Sequence, residues 1–175
     1  MFDTNVSCNE WTIAALQLAA LSGSFDSVKL LLECGAAVNQ DCTTSALFRA
    51  SQASNAGSVR LLLNAGAKVD VADIDGWTPL HFACFVGTAD SVRSLLQAGA
   101  QVDRRTSDGS TPLHQACATG DAEKVRLLLD AGADGRLEEE PDWLLRESRG
   151  KRAVEVARKY GHPVCVALLE QAGFG

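Results

Sequence analysis

The sequence of 175 residues lacks long apolar runs, and its apolar clusters, such as residues 13–16, stay short. A transmembrane helix needs about 20 consecutive apolar residues, so the sequence predicts no insertion into a membrane. Residues 1–5 contain no basic region followed by an apolar stretch. We therefore expect no secretory signal peptide.

Positive charge is scarce. Sixteen Lys and Arg residues stand against 22 Asp and Glu residues, giving a formal net charge of −6 and a pI near 5.0. Proteins that bind nucleic acid by neutralising phosphates need the opposite balance. The one basic concentration, at residues 146–159, follows the acidic run at 138–140, which partly offsets it. We expect no nucleic-acid partner.

The six cysteines lack the close spacing of a metal site, because no two lie within four residues of each other. A zinc site uses three or four converging ligands, commonly from C-x-x-C pairs, and no glycine-rich phosphate cradle follows a strand pattern. The sequence therefore predicts no metal and no cofactor. Without a secretory signal, reduced and mostly structural thiols are expected. Because reduced thiols are typical of intracellular compartments, we expect the protein in the cytoplasm, the nucleus or both.

Internal repetition is what the sequence does contain. Five frames end at equivalent glycines, separated by 31, 33, 33 and 41 residues: Gly35, Gly66, Gly99, Gly132 and Gly173. Each frame has the apolar spacing of two short helices. Each helix is well under the ~12–15 residues that an isolated helix needs in water. Each pair must therefore bury its apolar face against the next pair, as in a stack.

Two tetrapeptides at a 33-residue spacing, each preceded by an Asp-Gly turn, indicate the family: Thr78-Pro79-Leu80-His81 and Thr111-Pro112-Leu113-His114. Each tetrapeptide is followed by an L-L-x-x-G-A ending, and together these motifs resemble ankyrin repeats over about residues 10–174. The resemblance implies an all-α repeat solenoid of five helix-turn-helix units with β-hairpin loops. We assign an N-terminal arm to 1–9 and a single domain to 10–174. The repeats are at about 10–39, 40–72, 73–105, 106–136 and 147–174, with a loop insertion at about 135–146.

A Cys/His nucleophile pair is the catalytic alternative. His81 lies three residues before Cys84, and His114 lies three before Cys117, a spacing that places both side chains on one helix face. The resemblance implies instead that each histidine hydrogen-bonds at the turn–helix junction and each cysteine lies in the core. Duplicated copies are also typical of repeats, whereas an active site needs one. We predict that the protein is not an enzyme.

The resemblance implies that partners lie against the concave face, made by hairpin tips and first helices. The residues carried over to that face are Trp11, Ile74, Asp75, Trp77, Phe85, Val86, Ser110, Thr119, Arg149, Lys151, Lys159 and Tyr160. Exposed apolar clusters mark partner sites, and Trp and Tyr are frequent anchors. Alternatively, Trp77 and Phe85 brace the stack. We predict that the protein alone is monomeric and binds another protein or a peptide, whose acidic end lies toward Arg149, Lys151 and Lys159.

Two further predictions depend on the resemblance. Asn39 is similar to the hairpin asparagine that an oxygen-dependent hydroxylase modifies in some ankyrin proteins, although Ala37 replaces the usual Asp. The alternative is an asparagine that bonds only to backbone groups. A second functional interpretation is a substrate receptor of a ubiquitin ligase, as in ankyrin proteins with a C-terminal SOCS box. The chain contains no such box, so that interpretation requires a longer parent protein.

Overall fold

The computed structural model describes residues 4–39, 45–139 and 150–175. These ranges contain ten helices and, apart from one isolated antiparallel bridge between Glu138 and Arg152, no β-pairing. The helices are α1 (Thr4–Leu21), α2 (Phe25–Glu33), α3 (Ala46–Gln52), α4 (Ala56–Asn64), α5 (Pro79–Phe85), α6 (Ala89–Gln97), α7 (Pro112–Thr119), α8 (Ala122–Asp130), α9 (Ala153–Lys159) and α10 (Pro163–Gln171).

The helices stack in two layers. Each odd-numbered helix packs against the next odd-numbered helix, each even-numbered helix packs against the next even-numbered one, and the two helices of a pair also pack together. The predicted all-α repeat solenoid is confirmed. The fifth pair, α9 and α10, packs on α7 and α8 in the same way. Residues 40–44 and 140–149, which include most of the predicted insertion, lie outside the described residues.

One apolar core runs through the stack. The first helices contribute a leucine that is at most 1% exposed, repeated in four units: Leu16, Leu47, Leu80 and Leu113. The second helices contribute an equivalent fully buried valine: Val28, Val59, Val92 and Val125. Burying a side chain of this size contributes about 1.5–3 kcal/mol. Since each of these residues packs partly on the neighbouring unit, the stability belongs to the stack rather than to one repeat.

The expected β-hairpins are present only as tight turns in the described residues. In the loop before α5, Gly76 N donates to Asp73 O at 3.1 Å and Asp73 N donates to Trp77 O at 2.9 Å. Gly76 has a φ of +81°, which glycine adopts without steric cost. The loop before α7 repeats this arrangement between Thr106 and Ser110. The arms on each side are too short for a ladder, so no strand forms.

Helix α1 begins at Thr4, so residues 4–9 are helical and do not form the separate arm that we assigned to 1–9. The segment from Thr4 to Leu21 contains no proline and no glycine, and nothing interrupts the helix until Gly23, which has a φ of +71°. The first unit therefore has a longer first helix than the others.

The histidines of the two tetrapeptides join each helix start to the next repeat. His81 Nδ1 lies 3.2 Å from Thr78 N, which donates to it, and 2.8 Å from Thr78 Oγ1. Because Nδ1 accepts, we assign the proton to Nε2, which lies 3.3 Å from Ser110 O. His114 makes the same local contact with Thr111 and reaches Lys151 O at 2.9 Å. The local role implied by the resemblance is confirmed, and a link to the next repeat is added.

Burial keeps these histidines neutral. It lowers the pKa of His81 to about 4, and the acceptor Ser110 O offsets this only partly. Burial also lowers the pKa of His114, although Lys151 O acts in the opposite direction. The folded chain therefore binds fewer protons at these sites than the unfolded chain, whose histidines titrate near 6.5. The stabilising contribution is complete above about pH 6.5 and decreases as the pH falls toward 4.

We expect the free energy of unfolding to fall by about 2 kcal/mol from His81 alone between pH 7.5 and 5.0. Urea unfolding at the two pH values measures this loss. In His81→Gln, the side chain can still accept at the start of α5 but does not titrate, so the loss should be smaller by about that amount. An equal loss in both proteins would contradict the assignment.

Candidate functional site

The third repeat presents large apolar side chains to solvent. Ile74, at the tip of the turn before α5, is 96% exposed. Phe85, the last residue of α5, and Val86, which follows it, are each 45% exposed. We call Ile74, Phe85 and Val86 the apolar patch. The turn can form without an apolar side chain at its tip, so folding does not explain why residue 74 is an isoleucine.

An aromatic cluster of Phe48, Phe82 and Trp77 contacts the apolar patch through Phe85. The rings of Trp77 and Phe82 lie 4.8 Å apart between centroids, and the ring of Phe82 lies 4.7 Å from that of Phe48 in an edge-on contact. Trp77 also lies 5.9 Å from Phe85, again edge-on. Such geometries add to the stability gained by burial alone. Trp77 is half-buried and lies between Phe85 and Phe82, and Phe82 makes the ring contact with Phe48 of the second repeat, while Phe85 stays exposed.

Phe48 and Phe82 are site residues that the sequence analysis missed. Phe48 is buried and occupies in the second repeat the position that His81 holds in the third. The loss of the histidine at this position was visible in the sequence, but its replacement by a ring that contacts Phe82 was not. The signal in the sequence is an aromatic residue, Phe48, at the position where the next repeat has the hydrogen-bonding His81. That next repeat also carries aromatic residues of its own.

The predicted contact at Ser110 is wrong. Ser110 is only 1% exposed, its Oγ accepts from Gln115 Nε2 at 2.9 Å, and its carbonyl faces His81 and Thr106. Ser110 lies between the turn and α7. Its backbone is held inside the stack by the contact of its carbonyl oxygen with His81 of the preceding repeat. It contributes to the joint between repeats and has no surface to offer a partner.

The remaining predicted residues fall into two groups. Asp75, Thr119, Lys159 and Tyr160 are exposed, and Lys151 is half-buried. The side chain of Trp11 and the whole of Arg149 lie outside the described residues, so their predicted contacts stay predictions. Lys159 Nζ lies 5.6 Å from the centre of the Tyr160 ring, within the range of a cation–π contact.

Equivalent positions at the ends of the first helices form a row along the stack, which we call the inner column: Leu21, Gln52, Phe85, Ala118 and Lys159. Leu21, Phe85 and Lys159 are exposed, whereas Gln52 and Ala118 are half-buried. The chemistry of the inner column therefore changes from apolar to small to cationic between the third and fifth repeats.

The Cys/His pairs do not form nucleophile–base pairs. Thr78 and Ser110 occupy both ring nitrogens of His81, so neither nitrogen is directed at Cys84. Cys84 is fully buried, and burial raises the pKa of its thiol far above the ordinary value. Burial raises the pKa of Cys117 in the same way. A thiol is a nucleophile only as the thiolate, so both cysteines are small core residues.

No group of three or more His, Cys, Asp or Glu side chains within the described residues is arranged to hold a metal ion. None of the helices in those ranges is both long and apolar enough to cross a membrane. Two open surface cavities, of about 360 and 260 Å³, lie between α9 and α10 and between α4 and α6. None of the predicted partner-binding residues lines either cavity.

Asn39 joins two repeats through its side chain. Its Nδ2 donates to Gly66 O at 2.6 Å, and its Oδ1 accepts from Lys68 N at 2.8 Å. Asp70 and Asp103 repeat the second contact, each accepting from a backbone N–H of the following unit at 3.0 Å. These contacts are what the backbone-bonding alternative predicts. Hydroxylation of Asn39 stays a prediction.

The stacked helix pairs and the histidines that bridge successive repeats define a helical repeat protein. A family model described as ankyrin repeats, in three copies, matches residues 2–73 and 47–139. Because the match covers more than half of the chain, the protein belongs to the ankyrin-repeat family. Ankyrin repeats are generally protein–protein interaction modules and typically non-catalytic. A search of curated proteins found no match.

We expect Trp77→Ala to lower the free energy of unfolding by about 2 kcal/mol, because it removes a half-buried ring from contacts with Phe82, His81 and Phe85. Phe85→Ala removes an exposed ring and should cost less than about 1 kcal/mol. Urea unfolding monitored by circular dichroism compares the two variants without depending on tryptophan fluorescence. Equal losses would show that Trp77 does not brace the stack.

Proposed function

We propose that this protein is a non-catalytic scaffold or adaptor that binds a protein or peptide on the face formed by the turn tips and the ends of the first helices. The apolar patch of Ile74, Phe85 and Val86 is the centre of that face. The flanking polar groups are Asp75 on the turn, Thr119 in the fourth repeat, and Lys151, Lys159 and Tyr160 in the fifth.

The exposure of Ile74 carries the proposal. A fully exposed isoleucine beside two half-exposed apolar side chains leaves apolar surface in water, and a partner that covers it gains the hydrophobic contribution. Trp77 holds Phe85 from one side through an edge-on ring contact at 5.9 Å. A preorganised anchor loses little side-chain entropy on binding, so the patch suits a binding hot spot.

We also propose that the protein works in a reducing compartment, the cytoplasm or nucleus, as a monomer until it meets its partner. Cys34, Cys84, Cys117 and Cys165 are free thiols, and the last three are buried. Disulfides persist mainly in oxidising compartments. Cysteines that are buried in an apolar core pack as small apolar residues and do not need a disulfide.

We expect Phe85→Asp to abolish the specific capture of partner proteins, because it places a charge at the centre of the apolar patch. Immobilised wild-type and variant proteins are incubated with cell lysate, crosslinked, and compared by quantitative mass spectrometry. Proteins that the wild type enriches should fall at least about tenfold with Phe85→Asp, which corresponds to a hot-spot loss of about 1.4 kcal/mol or more.

Val164→Asp is the matched control, because Val164 is 55% exposed on the first turn of α10, in the other helix layer. It makes the same change of charge and should keep the wild-type profile. Ile74→Asp should reproduce the loss seen with Phe85→Asp without affecting folding. If the same proteins are captured by both patch variants and by the control, the binding face lies elsewhere and the proposal fails.

A further inference from the structure

From the third to the fifth repeat, the inner column contains three chemically different side chains. Phe85 is apolar, Ala118 is small and Lys159 is cationic. Helices α5, α7 and α9 pack directly against one another in this order. A ligand that follows the column therefore meets an apolar surface, a small floor and a positive charge in succession.

The fourth repeat leaves room between the two ends. Ala118 has a single methyl group and is half-buried. The exposed Thr119 donates its hydroxyl to Ala116 O at 3.1 Å, so its one polar group is turned back to its own helix. A backbone crossing this repeat meets no large side chain at these two positions.

The fifth repeat offers groups that suit a carboxylate. Lys159 and Tyr160 are exposed, with the ammonium 5.6 Å from the ring centre. An ammonium and a phenol hydroxyl both donate hydrogen bonds to carboxylate oxygens.

The spacing along the stack fixes the length of the ligand. Packed helices lie about 8–10 Å apart, so the step from α5 across α7 to α9 is about 20 Å. An extended chain advances about 3.3 Å per residue. A peptide that touches both ends of this row must therefore place its two anchors about six residues apart.

We propose, resting on the binding face proposed above, that the occupant is an extended peptide segment with two anchors. A large apolar side chain of the segment packs on the apolar patch, and an Asp or Glu about six residues away is bound by Lys159 and Tyr160. The fourth repeat carries the backbone between the two anchors. The recognition segment of the partner is therefore expected to contain one large apolar residue and one acidic residue about six positions apart.

A library of random 12-residue peptides displayed on phage tests the proposal against the full chain. We expect selected peptides to share one large apolar residue and one acidic residue separated by five to seven positions. A synthetic, fluorescently labelled member of the enriched set then serves as the probe in anisotropy titrations. Lys159→Glu should weaken its binding about tenfold or more, and reselection on that variant should replace the acidic residue by Lys or Arg.

Arg126→Glu is the matched control, because Arg126 is exposed on α8, in the other helix layer, and the substitution changes net charge equally. It should leave the affinity of the probe unchanged. Equal weakening by both substitutions would mean general electrostatic attraction and would overturn the assignment of Lys159. Circular dichroism at the assay temperature confirms that both variants are folded.

The outcomes separate this inference from the proposed function. Peptides that require Phe85 but carry no acidic residue, and bind Lys159→Glu as well as wild type, overturn the two-anchor segment and leave the binding face standing. If selection yields no peptide whose binding is lost in Phe85→Asp, the proposed face itself fails, and the two-anchor segment fails with it.

Discussion

The structure depends on one constraint: none of its units can bury its apolar face alone. Apart from α1, every described helix has seven to nine residues, which is too short for a stable isolated helix. The buried leucines of the first helices and valines of the second therefore need at least one neighbouring pair to pack against. Stability is a property of the interfaces, so each unit is held in place by the next.

Polar groups reinforce these interfaces at both ends of the helix pairs. At the turns, His81 reaches Ser110 O and Asp70 accepts from Gln101 N. At the opposite corners, the buried Lys124 donates to Cys84 O at 3.1 Å. All of these bonds join residues about one repeat apart or more. Each gives a backbone group of one repeat a side-chain partner from another repeat, and a buried backbone group that lost all its partners would carry a desolvation cost of about 1–3 kcal/mol.

The contacts that hold the repeats together do not involve the side chains at the turn tips, so these side chains can vary without loss of the fold. Ile74 can be fully exposed because the turn closes through Asp73 and Gly76 and not through its side chain. Phe85 can present a ring to solvent because Trp77 fixes its position from the core side. The proposed binding face therefore couples a rigid base to side chains that folding does not require, which is the arrangement expected of a recognition surface.

The period, the helix pairs and the family could be predicted from the amino-acid sequence, because they depend on short-range patterns: apolar spacing, Thr-Pro-Leu-His and the closing glycines. Three features depend on how the repeats pack: the burial of Ser110, the extension of the aromatic cluster by Phe48, and the turns without strands in the described loops before α5 and α7. Each of those features depends on what the neighbouring repeat places against the residue. Burial is a property of two repeats in contact, and a pattern read along one repeat does not contain it.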